Sequence, residues 1–197
     1  MTVAVFGATG RTGRPLVAEL RSAGISVRVL ARRPEALSDW AQDGGIAIVA
    51  GSAEDPEAVR AVLNGADAAV SVMGPVKGEP AERFSQAGEV IATGCAEAGV
   101  SRLLWMTGAG VMLPQDEPSF SRRMIRGIMK LVAGSVLAHS EAAVSSVMNS
   151  GVDYTVIRAP MLSEEPGEAA LASGYAAPKA RPVPRAQIAR WIVAELQ

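Results

Sequence analysis

The stretch that decides the fold is Gly7-Ala8-Thr9-Gly10-Arg11-Thr12-Gly13, close to the start of a chain of 197 residues. It directly follows a continuous apolar run at residues 3–6, which is typical of a strand buried on both faces. It directly precedes residues 14–23, where apolar side chains recur at helical spacing. The pattern G-x-x-G-x-x-G between a buried strand and an amphipathic helix is typical of a dinucleotide-binding turn.

Each glycine of this loop meets a separate steric demand. The chain must turn sharply, its backbone must approach the pyrophosphate, and the helix must pack tightly on the strand, so a Cβ is excluded at each step. The exposed N–H groups and the positive end of the helix dipole then face the anion. We therefore predict that residues 7–13 hold the pyrophosphate of NAD(P). A tight strand–helix turn without a ligand is the alternative interpretation.

Outward from the loop, short apolar runs alternate with longer helical ones. Strands are predicted at residues 3–6, 26–30, 46–49, 66–72 and 102–106, and helices at 14–23, 35–42, 56–63 (with Asp55 as N-cap) and 81–98. After residue 107 the pattern predicts a loop at 108–120, helices at 121–131 and 136–149, a strand at 153–158, a short strand or excursion at 163–184, and a helix at 185–196. This order predicts one α/β three-layer Rossmann domain over residues 1–197. It has a mostly parallel sheet and a small C-terminal substrate cap within 108–184.

Cofactor choice is predicted from the end of the second strand, which reads Val29-Leu30-Ala31-Arg32-Arg33. NAD enzymes usually place an Asp or Glu there to accept the ribose 2′-hydroxyl, and this stretch has none. Two guanidiniums at this point are suited to clamp a 2′-phosphate. The sequence therefore favours NADP(H), with NAD(H) as the alternative cofactor; solvated surface arginines are the other interpretation.

Composition excludes several classes of function. Nineteen basic against twenty acidic side chains argue against a nucleic-acid binder, which needs a concentrated positive field. A single cysteine, Cys95, and a single histidine, His139, argue against an internal disulfide and a His-rich metal cluster, and Cys95 is predicted to be a buried small hydrophobe. With no secretory signal and no predicted apolar run of spanning length, we expect a cytoplasmic monomer or small homo-oligomer that binds a small-molecule substrate and no membrane.

The same loop resembles that of the atypical short-chain dehydrogenases/reductases, in particular the NAD(P)H-binding group around biliverdin reductase B, which is also a flavin reductase. Further segments share the resemblance, which runs from residue 2 to the C-terminal helix: Ala50-Gly51-Ser52-Ala53-Glu54-Asp55, Ala66-Asp67-Ala68-Ala69-Val70-Ser71-Val72-Met73-Gly74, and Gly151-Val152-Asp153-Tyr154-Thr155-Val156-Ile157-Arg158-Ala159-Pro160.

The resemblance implies a role for each matching position. Cofactor-binding roles fall to Gly7, Thr9, Gly10, Arg11, Thr12 and Gly13 at the pyrophosphate, Arg32 and Arg33 at the 2′-phosphate, Ser52 and Ala53 at the adenine, and Met73 and Gly74 at a ribose. Met106, Thr107, Gly108 and Pro160 are expected to border the nicotinamide pocket. The family's Asp is replaced by Ser52 here, so that contact departs from the pattern.

The proton-donating pair of many short-chain reductases is missing. Those enzymes use Tyr-x-x-x-Lys on the helix after strand five, whereas the two tyrosines of this chain are Tyr154 and Tyr175, one in a predicted strand and one in the excursion. Gly108 stands where the larger family has Ser. We therefore predict an NAD(P)H-dependent reductase that passes hydride to a flavin, quinone or similar conjugated acceptor. A non-catalytic NADP(H) sensor is the second hypothesis, and an epimerase or dehydratase ranks third.

Candidates for a proton donor or substrate contact lie on the predicted helices of the cap. His139 and Ser140 fall near the start of a helix that approaches the nicotinamide in the family. Arg122, Arg126 and Lys130 recur every four residues on one helix face, where they could offer charge to an anionic substrate such as a flavin phosphate. A solvated helix face is the alternative for these cations.

Overall fold

In the computed structural model, the described residues are 1–76, 78–117, 120–169, 174–175 and 182–197, without the side chains of residues 121, 122 and 125. The strands among them are β1 (Thr2–Phe6), β2 (Ser26–Ala31), β3 (Ile46–Ala50), β4 (Ala68–Ser71), β5 (Arg102–Gly108), β6 (Asp153–Ala159), β7 (Met161–Ser163) and β8 (Pro182–Pro184). The α-helices are α1 (Gly13–Ser22), α2 (Pro56–Leu63), α3 (Glu82–Ala98), α4 (Phe120–Met148) and α5 (Arg185–Leu196).

Six strands form one sheet in the order β3-β2-β1-β4-β5-β6, and each neighbouring pair is parallel. The strand order reverses direction between β1 and β4, because the chain winds first to one side and then to the other. Ligands of doubly wound sheets bind at this switch point, beyond the carboxyl ends of the strands. The predicted Rossmann fold is confirmed.

Strand β1 divides the core into two apolar layers. Its alternate residues Ala4 and Phe6 face the layer formed with α2, α3 and α4, while Val3 and Val5 face the layer formed with α1 and α5. All four are fully buried, as expected for a central parallel strand covered on both faces. The phosphate loop therefore follows directly on a strand that is buried on both faces.

One predicted helix differs from the structure. Residues 34–40 form a 3₁₀ segment rather than the expected α-helix, interrupted at Leu37 (φ −118°, ψ 22°). Arg14 holds this segment against α1, because its guanidinium binds Asp39 at 2.8 Å and stacks over the Trp40 ring at 5.2 Å. The predicted helices at 121–131 and 136–149 correspond to the two halves of α4, which are separated by a non-helical residue, Ala133 (φ −148°, ψ 42°).

The break divides α4 into two unlike halves. After Ala133, the residues Leu137, Ala143, Val144 and Val147 are buried in the core. Before it, large apolar side chains face solvent: Phe120, Met124, Ile128, Leu131 and Val132. Residues Arg126–Met148 are long and apolar enough to cross a membrane by length and composition alone, but this stretch includes the break at Ala133. Its second half nevertheless belongs to the domain core.

Candidate cofactor-binding site

A cleft of about 280 Å³ opens at the carboxyl ends of β1, β2 and β4. It lies where the strand order predicts a ligand. Many of the residues predicted to contact the cofactor line it together, namely Gly7, Thr9, Gly10, Arg32, Arg33, Ser52, Ala53, Met73 and Gly74. Residues far apart in the sequence are thus brought to one surface by the parallel sheet.

The glycines of the phosphate loop leave no room for side chains. Gly7 has φ +83°, and a Cβ there would lie 2.9 Å from the Met73 backbone nitrogen. A Cβ on Gly13 would lie 2.1 Å from the Gly7 carbonyl oxygen, and one on Gly10 would lie 3.1 Å from the same atom. The Gly10 N–H donates to that carbonyl at 3.0 Å. The close packing expected of a dinucleotide loop is therefore present in its backbone.

Few amides in the first turn of α1 are left for an anion. The Thr12 side chain makes no capping hydrogen bond, but the Arg14 N–H already donates to the Gly10 carbonyl at 3.0 Å, and Pro15 has no N–H. Thr9 and Gly10 are exposed at the cleft, whereas Thr12 is buried beneath the loop. The Arg11 guanidinium is well exposed and lies 3.8 Å from Glu164. Thr9 is thus better placed than Thr12 to donate a hydroxyl to a ligand.

A chain of ionic hydrogen bonds crosses the cleft beyond the end of β2. Arg32 donates to one carboxylate oxygen of Glu79 at 2.7 Å, and Arg83 donates to the other at 3.2 Å. Arg83 also donates through Nε to Glu54 at 3.0 Å, and Glu54 accepts the hydroxyl of Ser52. The strand end itself carries no acid, as the sequence shows, but Glu79 from the loop between β4 and α3 supplies one.

Two members of this network, Glu54 and Arg83, are stabilised in their charged forms. Burial works against ionisation of Glu54, but the hydrogen bonds from Ser52 and Arg83 outweigh it and lower the pKa of the Glu54 carboxyl. The hydrogen bond to Glu54 in turn raises the pKa of Arg83. Both groups are therefore charged at neutral pH, and Arg83 is fixed in the orientation that reaches Glu79.

The predicted nicotinamide-side residues gather where β5 and β6 end. Met106 and Thr107 are buried, Gly108 pairs with Ala159 across the two strands, and Pro160 follows directly. The Thr107 hydroxyl is buried and has no hydrogen-bond partner among the described residues. A buried hydroxyl without a partner is costly, so this position carries an unsatisfied polar group. These residues lie beyond the lining of the described cleft.

The two candidates for a proton donor lie beside the cleft rather than in its described lining. The Nδ1 atom of His139 lies 2.9 Å from the Ser85 hydroxyl on α3, and Ser140 is buried. Val136, one turn before Ser140, does line the cleft. Their catalytic role stays a prediction.

The cationic stripe of α4 is only partly available to a substrate. Arg126 is bound by Glu141 from the second half of the same helix, so its charge is already neutralised. Lys130 is exposed, while the side chain of Arg122 lies outside the described residues. Support for an anionic substrate at this face is therefore weaker than the sequence suggested.

Sequence reasoning missed Glu54, Glu79 and Arg83. Glu79 precedes α3, so its pairing with Arg83 follows no helical spacing, and nothing in the sequence shows that this pair reaches across to Arg32. Cys95, by contrast, is buried as predicted, and its burial raises the pKa of the thiol to about 12. It is an inert core residue.

Comparison with known proteins places this geometry in a family. The chain matches the NAD(P)H-binding family over residues 7–197. Structures of similar fold include an anaerobilin reductase of Escherichia coli (22% identity, TM-score 0.78, covering 100% of this chain and 90% of that one). Another is a short-chain dehydrogenase/reductase of Veillonella parvula in complex with NADP (16% identity, TM-score 0.79, covering 99% and 86%).

Among curated proteins, a ceramide reductase of Caulobacter vibrioides is 35% identical over 96 residues, which are 49% of this chain and only 30% of that relative's length. The family match, in contrast, covers both the phosphate loop from Gly7 and the substrate-side elements. The chain belongs to the NAD(P)H-binding family of Rossmann-fold proteins.

Proposed function

We propose that this chain is a reductase that binds NADP(H) in the cleft and passes hydride to a flavin, quinone or similar conjugated acceptor. The observation that carries the proposal is the joint placement of the phosphate loop and the β2-end arginines Arg32 and Arg33 on one cleft. The loop matches a pyrophosphate, and the arginines match a 2′-phosphate.

Charge in the cleft supports NADP(H) over NAD(H). Three guanidiniums, those of Arg32, Arg33 and Arg83, line its adenosine end, against the two carboxylates of Glu54 and Glu79. The balance at that end is therefore positive, which favours an additional phosphate. NAD(H) remains the alternative, since either cofactor presents the same pyrophosphate to the loop.

The acceptor is inferred from what the chain supplies for proton transfer. Tyr154 lies in β6 and packs against the apolar core, so it is not placed as a proton donor. A bound reduced nicotinamide supplies a hydride, and a flavin or quinone needs stacking and proximity more than a side-chain acid, with its proton drawn from water. The reductase names of two relatives also favour reduction over epimerisation.

A regulator that binds NADP(H) without turnover is the second candidate. The missing Tyr-x-x-x-Lys pair favours it, because a sensor needs no proton donor. It shares every cofactor contact with the reductase, so only turnover separates the two.

The test is oxidation of NADPH by the purified chain in the presence of FMN, riboflavin, menadione or biliverdin, followed at the nicotinamide absorbance band. We expect oxidation above the protein-free background with at least one acceptor. Gly10→Val should abolish it, since the new side chain would enter the pyrophosphate space. The matched control is Gly44→Ala, at an exposed position where a Cβ meets nothing within 4 Å. Tight NADPH binding without oxidation of any acceptor would overturn the reductase in favour of the sensor.

A further inference from the structure

The carboxylate of Glu79 lies between two guanidiniums of the cleft. One oxygen accepts from Arg32 at 2.7 Å and the other accepts from Arg83 at 3.2 Å. Both arginines and Glu79 line the cleft. An anion with two oxygens, held at each oxygen by a different arginine, is a close chemical stand-in for a bound phosphate monoester.

The two arginines are held in place by different means. Arg32 follows the last residue of β2, so the sheet fixes its backbone. Arg83 belongs to the first turn of α3, and its Nε and Nη2 donate to Glu54 at 3.0 and 3.4 Å, which leaves Nη1 to reach Glu79. Glu79 itself lies in the connection between β4 and α3, outside any helix or strand. The Arg32 backbone and the Arg83 guanidinium are therefore held in place, and the carboxylate belongs to the more easily displaced segment.

We infer that Glu79 holds the place of the cofactor's 2′-phosphate, and that Arg32 and Arg83 together bind this phosphate once Glu79 has been displaced. The inference rests on the proposed binding of NADP(H). A phosphate carries up to two negative charges and more acceptor oxygens than a carboxylate, so it competes well for both guanidiniums. It also repels Glu79, because two anions cannot share one pair of cations.

This arrangement makes Glu79 a determinant of cofactor choice. NADP(H) must displace the carboxylate before its phosphate is bound, whereas NAD(H) leaves the ion pairs intact. The affinity for NADP(H) is therefore lower than the arginines alone would provide. A different role, in which Glu79 accepts the ribose hydroxyls as the acid at the β2 end does in NAD enzymes, predicts that removing its charge weakens the binding of 5′-ADP, which lacks the 2′-phosphate.

The experiment uses the adenosine half of the cofactor, so turnover plays no part. Binding of 2′,5′-ADP and of 5′-ADP is measured by calorimetry for the wild type, Glu79→Gln and Arg83→Gln. The control is Glu57→Gln, which removes a carboxylate paired with Arg60 on the exposed face of α2. We expect Glu79→Gln to tighten 2′,5′-ADP by about tenfold, since two part-exposed ion pairs no longer compete. The same variant and the control should leave 5′-ADP within about twofold.

Arg83→Gln should weaken 2′,5′-ADP by about tenfold without changing 5′-ADP. The inference is overturned if Glu79→Gln leaves both affinities unchanged, or if it weakens 5′-ADP, which would make Glu79 a ribose ligand. These failures differ from failure of the proposed function. If the folded wild type binds neither probe, the cofactor proposal itself is wrong and the role of Glu79 falls with it.

Discussion

The phosphate loop and the first half of α4 are opposites within one chain. A Cβ on Gly13 would lie 2.1 Å from a backbone oxygen, whereas a Cβ on Gly127 in α4 would meet nothing within 4 Å. The loop is surrounded by its own backbone, and the helix turns large apolar side chains toward solvent. The close packing of the phosphate loop therefore rests on contacts within the chain, whereas the first half of α4 leaves its large apolar side chains open to solvent.

The largest effect is expected from introducing a side chain into the phosphate loop. Gly13→Val should weaken NADPH binding by up to about a hundredfold, because overpacking costs about 1–3 kcal/mol. Gly127→Ala is the matched change in α4. It should leave binding unchanged and raise the free energy of unfolding by about 0.5–1 kcal/mol, since alanine replaces glycine in an open helical position. Fluorescence titration with NADPH measures the first effect and urea unfolding the second. Unchanged binding in Gly13→Val would contradict the steric account of the loop.

A buried ion pair tests whether the predicted substrate cap, within residues 108–184, is as open to solvent everywhere as it is at the first half of α4. Arg158 on β6 donates to Asp116 at 2.7 Å, with side chains only 10% and 1% exposed, and Asp116 also accepts the Leu113 N–H. Asp116→Asn should lower the free energy of unfolding by about 3–5 kcal/mol, because a buried charge loses its partner. Urea denaturation provides the measurement, and Glu57→Gln on α2 should change it by less than about 1 kcal/mol. A loss as small as that of the control would show that the pair between Arg158 and Asp116 does not stabilise the folded state.

The two halves of α4 offer a comparison with residue type held constant. Leu137 is 3% exposed and Leu131 is 89% exposed. Leu137→Ala should cost about 2–5 kcal/mol of stability through the cavity it leaves. Leu131→Ala should cost less than about 0.5 kcal/mol. Thermal and urea unfolding of both variants measure the two losses of stability. Equal losses would mean that the first half of α4 is packed in solution and does not face solvent.

The smallest expected effect concerns the pH dependence of the cleft network. The pKa of Glu54 is lowered from its model-compound value of 4.5, so the folded state binds its proton less readily than the unfolded chain. Its contribution to stability is then complete above pH 4.5 and is lost as the pH falls through the folded pKa. Glu54→Gln should remove this contribution, of under about 1 kcal/mol for a part-exposed pair. Unfolding measured across the acid range would show identical slopes for both proteins if the network were unimportant.

Much of the cofactor side could be predicted from the sequence because its determinants are local. The alternation of strands and helices predicted the parallel sheet, and the spacing of the loop glycines predicted their close packing. Asp55 was expected to cap α2, and it accepts the Glu57 N–H at 3.0 Å. The cap and the close contacts of Gly10 and Gly13 involve neighbours within a few residues along the chain, whereas Gly7 also lies against the backbone of Met73.

The remainder depends on contacts between distant segments. Arg32 and Glu79 are 47 residues apart, and their meeting depends on the path of the loop after β4, which no periodicity reports. Arg126 and Glu141 are 15 residues apart, which is about 22 Å along a straight helix, so their pairing depends on the break in the helix at Ala133. The contact of His139 with Ser85 likewise joins distant segments, because it comes from the packing of α3 on α4. Charge patterns predicted these side chains as candidates but not their partners.

The most direct test of the central claim is a fluorescence titration of the wild-type chain with NADPH and NADH under identical conditions. We expect NADPH to bind at least about tenfold more tightly, because its 2′-phosphate gains charge-assisted hydrogen bonds from the arginines beyond β2. Equal or tighter binding of NADH would contradict the assignment of Arg32 and its neighbours to a 2′-phosphate. Failure to bind either cofactor would contradict the assignment of the phosphate loop itself.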